Sequence, residues 1–351
     1  MRALVLKAIH QLEFVADFPK PTLAKDEVLI KVKYCGICGS DLEAFQYGMI
    51  LMPLIPGHEF SGEIMELGAN VASGANVTLG ANVELGANVA LGANWRIGDR
   101  VTCYPGSFCG KCYYCKRGEE NLCKKMVLGL GLSINGAMAE YVKFPAKYLF
   151  KLPDTISYEE GAIVEPLSVG YHGVKLSKIQ PGDTAVVIGA GTIGISTIQS
   201  LKLLNIDEIY VIDPNEFNRN IALQLGAKET KAPAQINKVG PDFVFVCAGF
   251  PETYQNAIKI VRGGGSIILL GVHFDPVKTN YLQIIAKEAN LRGSFGYSNA
   301  EFQEVLTLLA QKKFQPNLLI SKKVKLENAV QGGFLELLSK EKKAVKILLE
   351  I

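Results

Sequence analysis

Long apolar runs and a strong excess of one charge are both missing from this sequence of 351 residues. No stretch reaches the ~18 apolar residues that a membrane-spanning helix needs, so we expect no membrane partner. The 37 basic and 34 acidic side chains leave a net charge of +3, and no basic block concentrates it. We therefore expect no nucleic-acid partner either.

A recognisable secretory signal is also missing. The first residues, MRALVLKAIHQLEFV, contain neither a long apolar core nor a small-residue cleavage site. We expect a cytoplasmic protein, in which the eight cysteines stay reduced. Clustered cysteines in such a protein bind metal more often than they form disulfides.

The sequence has two parts of different texture, as its length suggests. Residues 1–65 contain short β-like runs such as EVLIKVKY between glycines and prolines, which indicates a β-rich barrel or sheet. From about Leu152, apolar strands such as TAVVIG, EIYVID, DFVFVC and GSIILLG alternate with helix-like stretches. This alternation predicts a doubly wound parallel sheet, so the fold class is α/β. A final AVKILLEI strand could rejoin the first part.

A glycine-rich turn follows the first of these apolar strands. TAVVIGAGTIG places Gly189, Gly191 and Gly194 as G-x-G-x-x-G, with Thr192 and Ile193 between the last two glycines. The glycines allow a tight turn, a close approach to a pyrophosphate and close helix–strand packing. The free amides at the start of the helix attract phosphate. The turn predicts a dinucleotide site, although glycines also occur in merely structural turns.

The choice of dinucleotide depends on the next strand. Asp213 ends that strand, 19 residues after Gly194, where a carboxylate accepts hydrogen bonds from ribose hydroxyls and repels a 2′-phosphate. This position favours NAD over NADP. Arg219 lies nearby and keeps NADP as the less favoured alternative.

Four cysteines within fifteen residues form the first candidate metal site. They follow the spacing C-x2-C-x2-C-x7-C and are Cys109, Cys112, Cys115 and Cys123. Four thiolates on a polar loop fit one tetrahedral zinc that is closed to solvent. An iron–sulfur cluster and a pair of disulfides are the alternatives.

A second candidate metal site combines CGICGSD, PGHEF and VEPLSVGYH. Cys38 and His58 offer a thiolate and an imidazole, and Glu59 and Glu165 add carboxylates. A catalytic zinc keeps one position for water or substrate. Each residue alone has a structural explanation, but the combination with the other two motifs favours a zinc site.

With these motifs the chain resembles the zinc-dependent medium-chain dehydrogenases of the alcohol, polyol and threonine dehydrogenase group. GAMAEY at 136–141 and GSFGY at 293–297 match as well, and the resemblance covers nearly the whole chain except a repeat. It implies a GroES-like catalytic domain, a Rossmann cofactor domain and a return of the chain to the first domain. The implied ranges are 1–152 with the zinc loop 109–123, then 153–298, then 299–351.

The resemblance also implies roles for the residues of the second metal site. Cys38, His58 and Glu59 would bind the catalytic zinc. Glu165 would bind it directly or through its water, and a glutamate there resembles the polyol and threonine branch more than the alcohol branch. The chain would then contain two zinc ions, one catalytic and one structural.

The resemblance implies that three residues following Cys38 in the sequence assist proton transfer. Ser40 would hydrogen-bond the substrate oxygen and begin proton release, and Asp41 would orient the site. Many relatives carry histidine where this chain has Glu43. The relay therefore runs through Glu43, through Glu165 with water, or directly to solvent.

The resemblance implies hydride transfer between NAD and a secondary alcohol or polyol: a sugar alcohol, its phosphate, a diol or a threonine-like substrate. Phe45, Tyr47, Phe295 and Tyr297 are expected either to line the substrate pocket or to be core aromatics. Relatives are commonly dimers or tetramers, so we expect a homo-oligomer.

Residues 67–96 form five near-identical six-residue units, LGANVA, SGANVT, LGANVE, LGANVA and LGANWR. Leucine at the first position and valine at the fifth are typical of the hexapeptide left-handed β-helix. Five units make less than two triangular turns, which cannot form a core alone. We expect an insertion of about twenty residues between two strands, as a short β-helical bulge or a surface loop.

Other functions are less well supported. One alternative is a non-catalytic protein of the same fold that zinc only stabilises. Such a protein would not need the second metal site, in which one zinc position stays open to water or substrate. An acyltransferase would require full coils and a histidine between them, and the repeat contains no histidine. A zinc-free quinone reductase is disfavoured because both metal sets are complete.

Overall fold

The computed structural model describes residues 1–73, 94–235 and 240–351. The elements of the first part are β1 (Ala3–Ala8), β2 (Gln11–Val15), β3 (Glu27–Gly36), α1 (Gly39–Tyr47), β4 (Glu59–Leu67), α2 (Ala69–Ala72), β5 (Arg100–Cys103), β6 (Gly106–Ser107), β7 (Val127–Leu128), β8 (Tyr141–Pro145) and β9 (Leu149–Lys151). Those of the second part are α3 (Tyr158–Ala162), α4 (Val164–Ser177), β10 (Ala185–Ile188), α5 (Thr192–Leu203), β11 (Ile209–Ile212), α6 (Glu216–Gln224), β12 (Glu229–Lys231), β13 (Phe243–Val246), α7 (Pro251–Ile260), β14 (Ser266–Leu269), α8 (Tyr281–Lys287) and β15 (Asn290–Gly293). The chain continues with α9 (Asn299–Ala310), β16 (Ile320–Lys325), α10 (Leu335–Leu338) and β17 (Lys346–Glu350).

The first part is built on a seven-stranded sheet. Its strand order is β16-β17-β3-β4-β5-β9, and β8 also pairs with β3. The run EVLIKVKY lies in β3, where Val28, Ile30 and Val32 are buried and Lys31 is exposed. The β-branched residues suit a pleated strand that packs on a core. β3 therefore lies inside the sheet, and the candidate ligand Cys38 comes two residues after its end.

The second part is a six-stranded parallel sheet with the order β12-β11-β10-β13-β14-β15. The four predicted apolar strands are β10, β11, β13 and β14, and α5 begins directly after the glycine turn that follows β10. Parallel strands need such helical crossovers. The structure confirms the α/β class with a β-rich first sheet and a doubly wound parallel sheet.

The carboxyl-terminal segment packs against the first part. β17 pairs antiparallel with β3, with Leu349 opposite Cys35 and Leu348 opposite Gly36. Leu348 also belongs to the apolar core that contains Tyr104 and Phe150 of the first part and the buried face of α5. One continuous core therefore joins the two parts. The domain boundaries at 152 and 298 stay predictions.

The helices of the second part serve packing. α4, with 14 residues, is the longest helix in the described part of the chain, and it packs on α5 and α9. Gly170 permits this close contact, because an added Cβ would lie 2.6 Å from the backbone of Ser196. Within the described ranges, no helix is both long enough and apolar enough to cross a membrane.

The first repeat unit differs from the expected β-helical coil. Leu67 ends β4 and residues 69–72 form the helical turn α2, so the unit LGANVA is part strand and part helix. The following units, over residues 74–93, lie outside the described residues. The chain is described again from Asn94, and β5 then pairs antiparallel with β4. The repeat thus connects two neighbouring strands.

Candidate active site

Three candidate metal ligands come together where β3 ends and β4 begins. Cys38 directly precedes α1, Glu59 is the first residue of β4, and His58 directly precedes it. One ligand atom from each residue lies within 4.8 Å of the other two. His58 and Glu59 are buried, whereas Cys38 is partly accessible. The antiparallel pairing of β3 with β4, with Gly36 opposite Glu59, produces this meeting.

The charges around His58 suit a cation. Burial alone would lower the pKa of His58, but Cys38, Asp41 and Glu165 surround it and raise that pKa well above its usual value. The Nδ1 atom of His58 is buried and has no hydrogen-bond partner. A thiolate, an unpartnered imidazole nitrogen and a carboxylate are the donors that zinc prefers. The residues therefore fit a zinc ion.

Asp41 orders the two chain segments that carry these ligands. Its carboxylate accepts hydrogen bonds from the amide of Cys38 at 2.9 Å and from the amide of Gly57 at 3.2 Å. Burial raises the pKa of Asp41. Asp41 thus holds the start of α1 against the residue that precedes His58, as a second layer of support.

Glu59 also forms a buried ion pair with Lys346, a residue that the sequence motifs did not indicate. Lys346, on β17, donates to Oε1 of Glu59 at 2.8 Å and to Oε2 at 2.7 Å. It also donates to the carbonyl of Ile37 at 2.8 Å, and both charged side chains are only 1% exposed. The signal in the sequence was one lysine inside the apolar run AVKILLEI. The carboxylate of Glu59 therefore lies both in the candidate metal group and beside a buried ammonium.

Glu165 lies at the start of α4, near the three ligands but not in their group. The group whose donor atoms lie within 4.8 Å of one another comprises Cys38, His58 and Glu59 in the described part of the chain. Glu165 instead accepts a hydrogen bond on Oε1 from the hydroxyl of Tyr297 at 2.9 Å. Desolvation raises the pKa of Glu165 to about 7, and Glu59 adds to this effect. A carboxyl with such a pKa can give or take a proton near neutral pH.

Ser40 and Glu43 lie on α1, one turn apart. Residues at this spacing share a helix face. The Oγ of Ser40 is buried and has no hydrogen-bond partner, which is costly unless another molecule supplies one. Glu43 is half-buried, and burial raises its pKa. Both residues lie on the helix that begins directly after Cys38.

The four expected pocket aromatics divide between core and surface. Phe45 is 5% exposed and packs edge-on against His10 and Phe334, so it is a core residue. Tyr47 is 66% and Phe295 48% exposed. Tyr297 is buried and its hydroxyl reaches Glu165. Tyr297 therefore has a hydrogen bond to a candidate site residue, whereas Tyr47 and Phe295 lie at the surface.

The four-cysteine loop has the dimensions of a tetrahedral thiolate site. The Sγ atoms of Cys112 and Cys115 are 3.6 Å apart, those of Cys112 and Cys123 3.8 Å, and those of Cys109 and Cys115 3.9 Å. A tetrahedron with Zn–S bonds of about 2.3 Å has S···S edges of about 3.8 Å. A disulfide needs about 2.05 Å, and all four cysteines are free thiols. The residues fit a metal bound by four sulfurs.

Backbone amides prepare these sulfurs for a metal. The amide of Cys112 donates to Sγ of Cys109 at 3.3 Å, and that of Lys125 donates to Sγ of Cys123 at 3.3 Å. A hydrogen bond from the amide of Cys115 is the main reason why the pKa of Cys112 falls to about 6. Thiolates are the metal-binding form of cysteine, so Cys112 is disposed to bind a metal, whereas burial raises the pKa of Cys115.

The glycine turn borders an open cleft of about 660 Å³. Gly189 has φ +92°, a conformation that other residues rarely adopt. A Cβ on Gly194 would lie 1.9 Å from the carbonyl oxygen of Gly189, whereas at Gly191 nothing lies within 4 Å. Gly194 thus permits close packing, and Gly191 leaves room for a ligand at the start of α5.

Asp213 stands at the end of β11 on the same cleft. Its carboxylate accepts hydrogen bonds from the amide of Ala190 at 2.6 Å and from the amide of Asn215 at 2.7 Å. Arg219, by contrast, donates through Nη1 to the carbonyls of Asp213 and Pro214 and is not among the cleft residues. The guanidinium of Arg219 is therefore hydrogen-bonded to backbone carbonyls in this structure.

Thr192 and Ile193, also expected at the cofactor, face the protein. The hydroxyl of Thr192 donates to the carbonyl of Val345 at 3.0 Å, and Ile193 packs against the core. Neither side chain is among the residues that line the cleft. Their backbone amides remain at the start of α5, where a phosphate would bind.

Two family models match most of the chain. Residues 24–154 match the alcohol dehydrogenase GroES-like domain, and residues 192–311 match the zinc-binding dehydrogenase domain. Sorbitol dehydrogenase of Bacillus subtilis is 32% identical over 85% of this chain and 83% of that protein. The crystal structure of 2R,3R-butanediol dehydrogenase from Bacillus subtilis is 30% identical, covers 100% of this chain and 99% of that chain, and has a TM-score of 0.84.

A structure of an alcohol dehydrogenase, RspB of Escherichia coli, contains NADH. It is 26% identical, covers 100% of this chain and 99% of that chain, and has a TM-score of 0.86. The family models, the relatives and the two metal-binding groups agree with one another. The chain therefore belongs to the zinc-dependent medium-chain dehydrogenase family, and it is an oxidoreductase that uses zinc and a nicotinamide dinucleotide.

Proposed function

We propose that this enzyme transfers hydride between NAD and a secondary alcohol or polyol: a sugar alcohol, its phosphate, a diol or a threonine-like substrate. The observation that carries the proposal is the group of Cys38, His58 and Glu59 next to the buried, unpartnered hydroxyl of Ser40. An alcohol oxygen that binds there gains a hydrogen-bond partner in Ser40. The relatives named sorbitol dehydrogenase and butanediol dehydrogenase support a polyol or diol substrate.

Each metal has a proposed ligand set. Cys38, His58 and Glu59 hold the catalytic zinc, and Glu165 contributes directly or through water. The four-cysteine loop holds the structural zinc through Cys109, Cys112, Cys115 and Cys123. When bound, the catalytic zinc supplies a Lewis acid that makes the alcohol proton easier to remove.

The side chains of the chain move the proton and exclude water. Ser40 accepts the substrate proton on Oγ and passes its own to a neighbouring acceptor. Glu43 is one acceptor, because it lies one turn away and its pKa is raised. Glu165 is the other, because its pKa of about 7 matches the task. The buried core around His58 and Lys346 keeps bulk water from the far side of the site.

The cofactor occupies the cleft along the glycine turn. The backbone at Gly191 and the start of α5 receive the pyrophosphate, and Asp213 accepts hydrogen bonds from the adenosine ribose. Besides the two backbone amides, the side-chain amide of Asn218 donates to the two carboxylate oxygens of Asp213 at 3.5 and 3.4 Å, and the ribose hydroxyls would replace these long bonds. The negative charge of Asp213 disfavours a 2′-phosphate, which supports NAD over NADP.

The oligomer is proposed to be a homo-dimer, or a homo-tetramer built from it. β15 is an edge strand whose four residues are all exposed. Next to it, α8 exposes Tyr281, Leu282 and Ile285 to about 70%. An open edge beside an apolar patch suits pairing with a second copy of the same strand. Light scattering after size-exclusion chromatography tests this, and a monomeric wild-type protein would reject it.

The decisive experiment measures NAD reduction with a panel of sugar alcohols, their phosphates, diols and threonine, with zinc counted on the same sample. We expect turnover with about two zinc ions per chain, lost in Cys38→Ala. Two zinc ions without turnover on the whole panel would point to a substrate outside the panel or to a blocked cleft. One zinc ion or none would overturn the proposed metal sites.

A further inference from the structure

The segment 293–299, which runs from the end of β15 to the start of α9, contacts the candidate active site through its middle and the four-cysteine loop on either side of that contact. Tyr297 is its central residue. The Tyr297 hydroxyl donates to Glu165 at 2.9 Å, and its ring packs on Tyr104 and Phe302 with centroids 5.4 and 5.7 Å away. Tyr297 is 3% exposed, so the hydroxyl has little freedom to choose another partner.

The four-cysteine loop grips the backbone on both sides of Tyr297. Asn121 donates through its side-chain amide to the carbonyl of Phe295 at 2.8 Å. Glu120 accepts a hydrogen bond from the amide of Asn299 at 3.4 Å. Both loop residues are less than 9% exposed and lie in a 3₁₀ turn that ends at Cys123. The ligand Cys123 therefore fixes the turn that holds the segment.

The same segment is also fixed on the α4 side. His172 contacts Glu301 at 2.8 Å, and Glu301 accepts a hydrogen bond from the amide of Ser298 at 2.8 Å. His172 lies on α4 seven residues after Glu165, which is two helical turns and hence the same face. Tyr297 thus lies between Phe295 and Ser298, whose backbone groups are both hydrogen-bonded. These two hydrogen bonds hold the Tyr297 hydroxyl towards Glu165.

We propose that Asn121 is a positioning residue for the active site: by holding the carbonyl of Phe295, the four-cysteine loop places the Tyr297 hydroxyl on Glu165. The loop then contributes to the geometry of the reaction centre in addition to stabilising the first part. This inference rests on the proposed role of Glu165 at the catalytic metal.

The test is a double-mutant cycle in the zinc-loaded enzyme. Tyr297→Phe removes only the hydroxyl, and Asn121→Ala removes the amide without touching a cysteine. We expect each change to lower kcat about tenfold, the size expected for one hydrogen bond to a charged group, with little change in KM. Because Asn121 acts through Tyr297, the double variant should be no slower than Tyr297→Phe alone. Losses that multiply in the double variant would overturn the proposal.

The matched control is Glu119→Ala. Glu119 directly precedes the 3₁₀ turn, is exposed and pairs with Arg117 rather than with the segment. It should leave kcat, KM and the zinc content unchanged. Should Asn121→Ala lose the loop metal, Asn121→Ser keeps a polar group that is too short to reach Phe295, and the cycle is run with it.

A readout without substrate separates this inference from the proposed function. The visible spectrum of Co²⁺ exchanged into the Cys38 site reports the geometry around that metal. We expect Asn121→Ala and Tyr297→Phe to shift the band in the same direction and Glu119→Ala to leave it unchanged. A band unchanged in Asn121→Ala overturns the positioning role, even if no alcohol of the panel is turned over. A shifted band with no turnover would instead retain the positioning role and reject the panel as substrates.

Discussion

The buried pair of Lys346 and Glu59 should respond differently in the presence and absence of zinc. Lys346→Met keeps most of the length and apolar volume of the side chain but removes its charge. Glu59 is then left as a carboxylate with 1% exposure and without its ammonium partner. In the zinc-loaded protein the metal still neutralises this carboxylate, whereas after chelation nothing does. We therefore expect a large loss of stability only in the metal-depleted protein.

The size of the loss follows from the contacts. Lys346 makes two hydrogen bonds of 2.8 and 2.7 Å to Glu59 and one of 2.8 Å to Ile37. Removing one partner of such a buried pair typically costs about 3–5 kcal/mol. With zinc bound we expect about 1–2 kcal/mol, the cost of leaving the carbonyl of Ile37 without its donor.

Equilibrium unfolding in urea, with zinc and with a chelator, measures both values. Lys322→Met is the matched control, because Lys322 lies on the neighbouring strand β16 and pairs with Glu336 at the surface. Exposed pairs contribute about 0–1 kcal/mol, so the control should change little in either condition. Equal losses of stability for Lys346→Met with and without zinc would show that the metal does not neutralise the charge of Glu59.

Three further changes test other parts of the molecule. Cys112→Ser should lower the zinc content from about two ions to about one per chain and lower the Tm, as measured by mass spectrometry and calorimetry; an unchanged zinc count would exclude the loop as a metal site. Asp213→Ala should raise the ratio of kcat/KM for NADP to that for NAD about tenfold or more, because the repelling carboxylate is gone, and a ratio that stays constant would contradict the role of Asp213. Although burial opposes it, His172 and Ser298 hold the pKa of Glu301 below its usual range. Glu301 therefore stabilises the fold above about pH 4.3, and this contribution is lost as the pH falls through the folded-state pKa. The advantage of wild type over Glu301→Gln in urea unfolding should shrink in acid, and an advantage that grows there would refute the assignment.

The sequence best predicted the features whose residues lie close to one another in the chain. The four cysteines lie within fifteen residues and the glycine turn within eleven, so their spacing alone places them together. The fold class followed from the strand–helix alternation after Leu152, which needs no knowledge of tertiary contacts. The motifs and the family resemblance also predicted that Cys38, His58 and Glu59 lie together, and the pairing of β3 with β4 brings them together.

Contacts between distant residues could not be predicted in the same way. Lys346 lies 287 positions from Glu59, and they meet only because β17 joins the sheet beside β3. Arg219 was expected at the cofactor, but its guanidinium binds two backbone carbonyls that no spacing rule indicates. Tyr297 was expected to line a pocket or a core, and its bond to Glu165 depends on how the segment 293–299 is held.

The position of Lys346 on β17 has a consequence for biosynthesis. The ribosome makes the candidate ligand Glu59 287 residues before it makes Lys346, the positive partner of Glu59. At about 5–20 residues per second, this interval lasts roughly 15 to 60 s. During that time the nascent chain contains the Cys38 thiol, the His58 imidazole and the Glu59 carboxylate but not yet the ammonium group of Lys346. Metal that reaches them early binds a site whose charge balance and sheet edge are still unfinished, so the mature active site forms only after β17 leaves the ribosome.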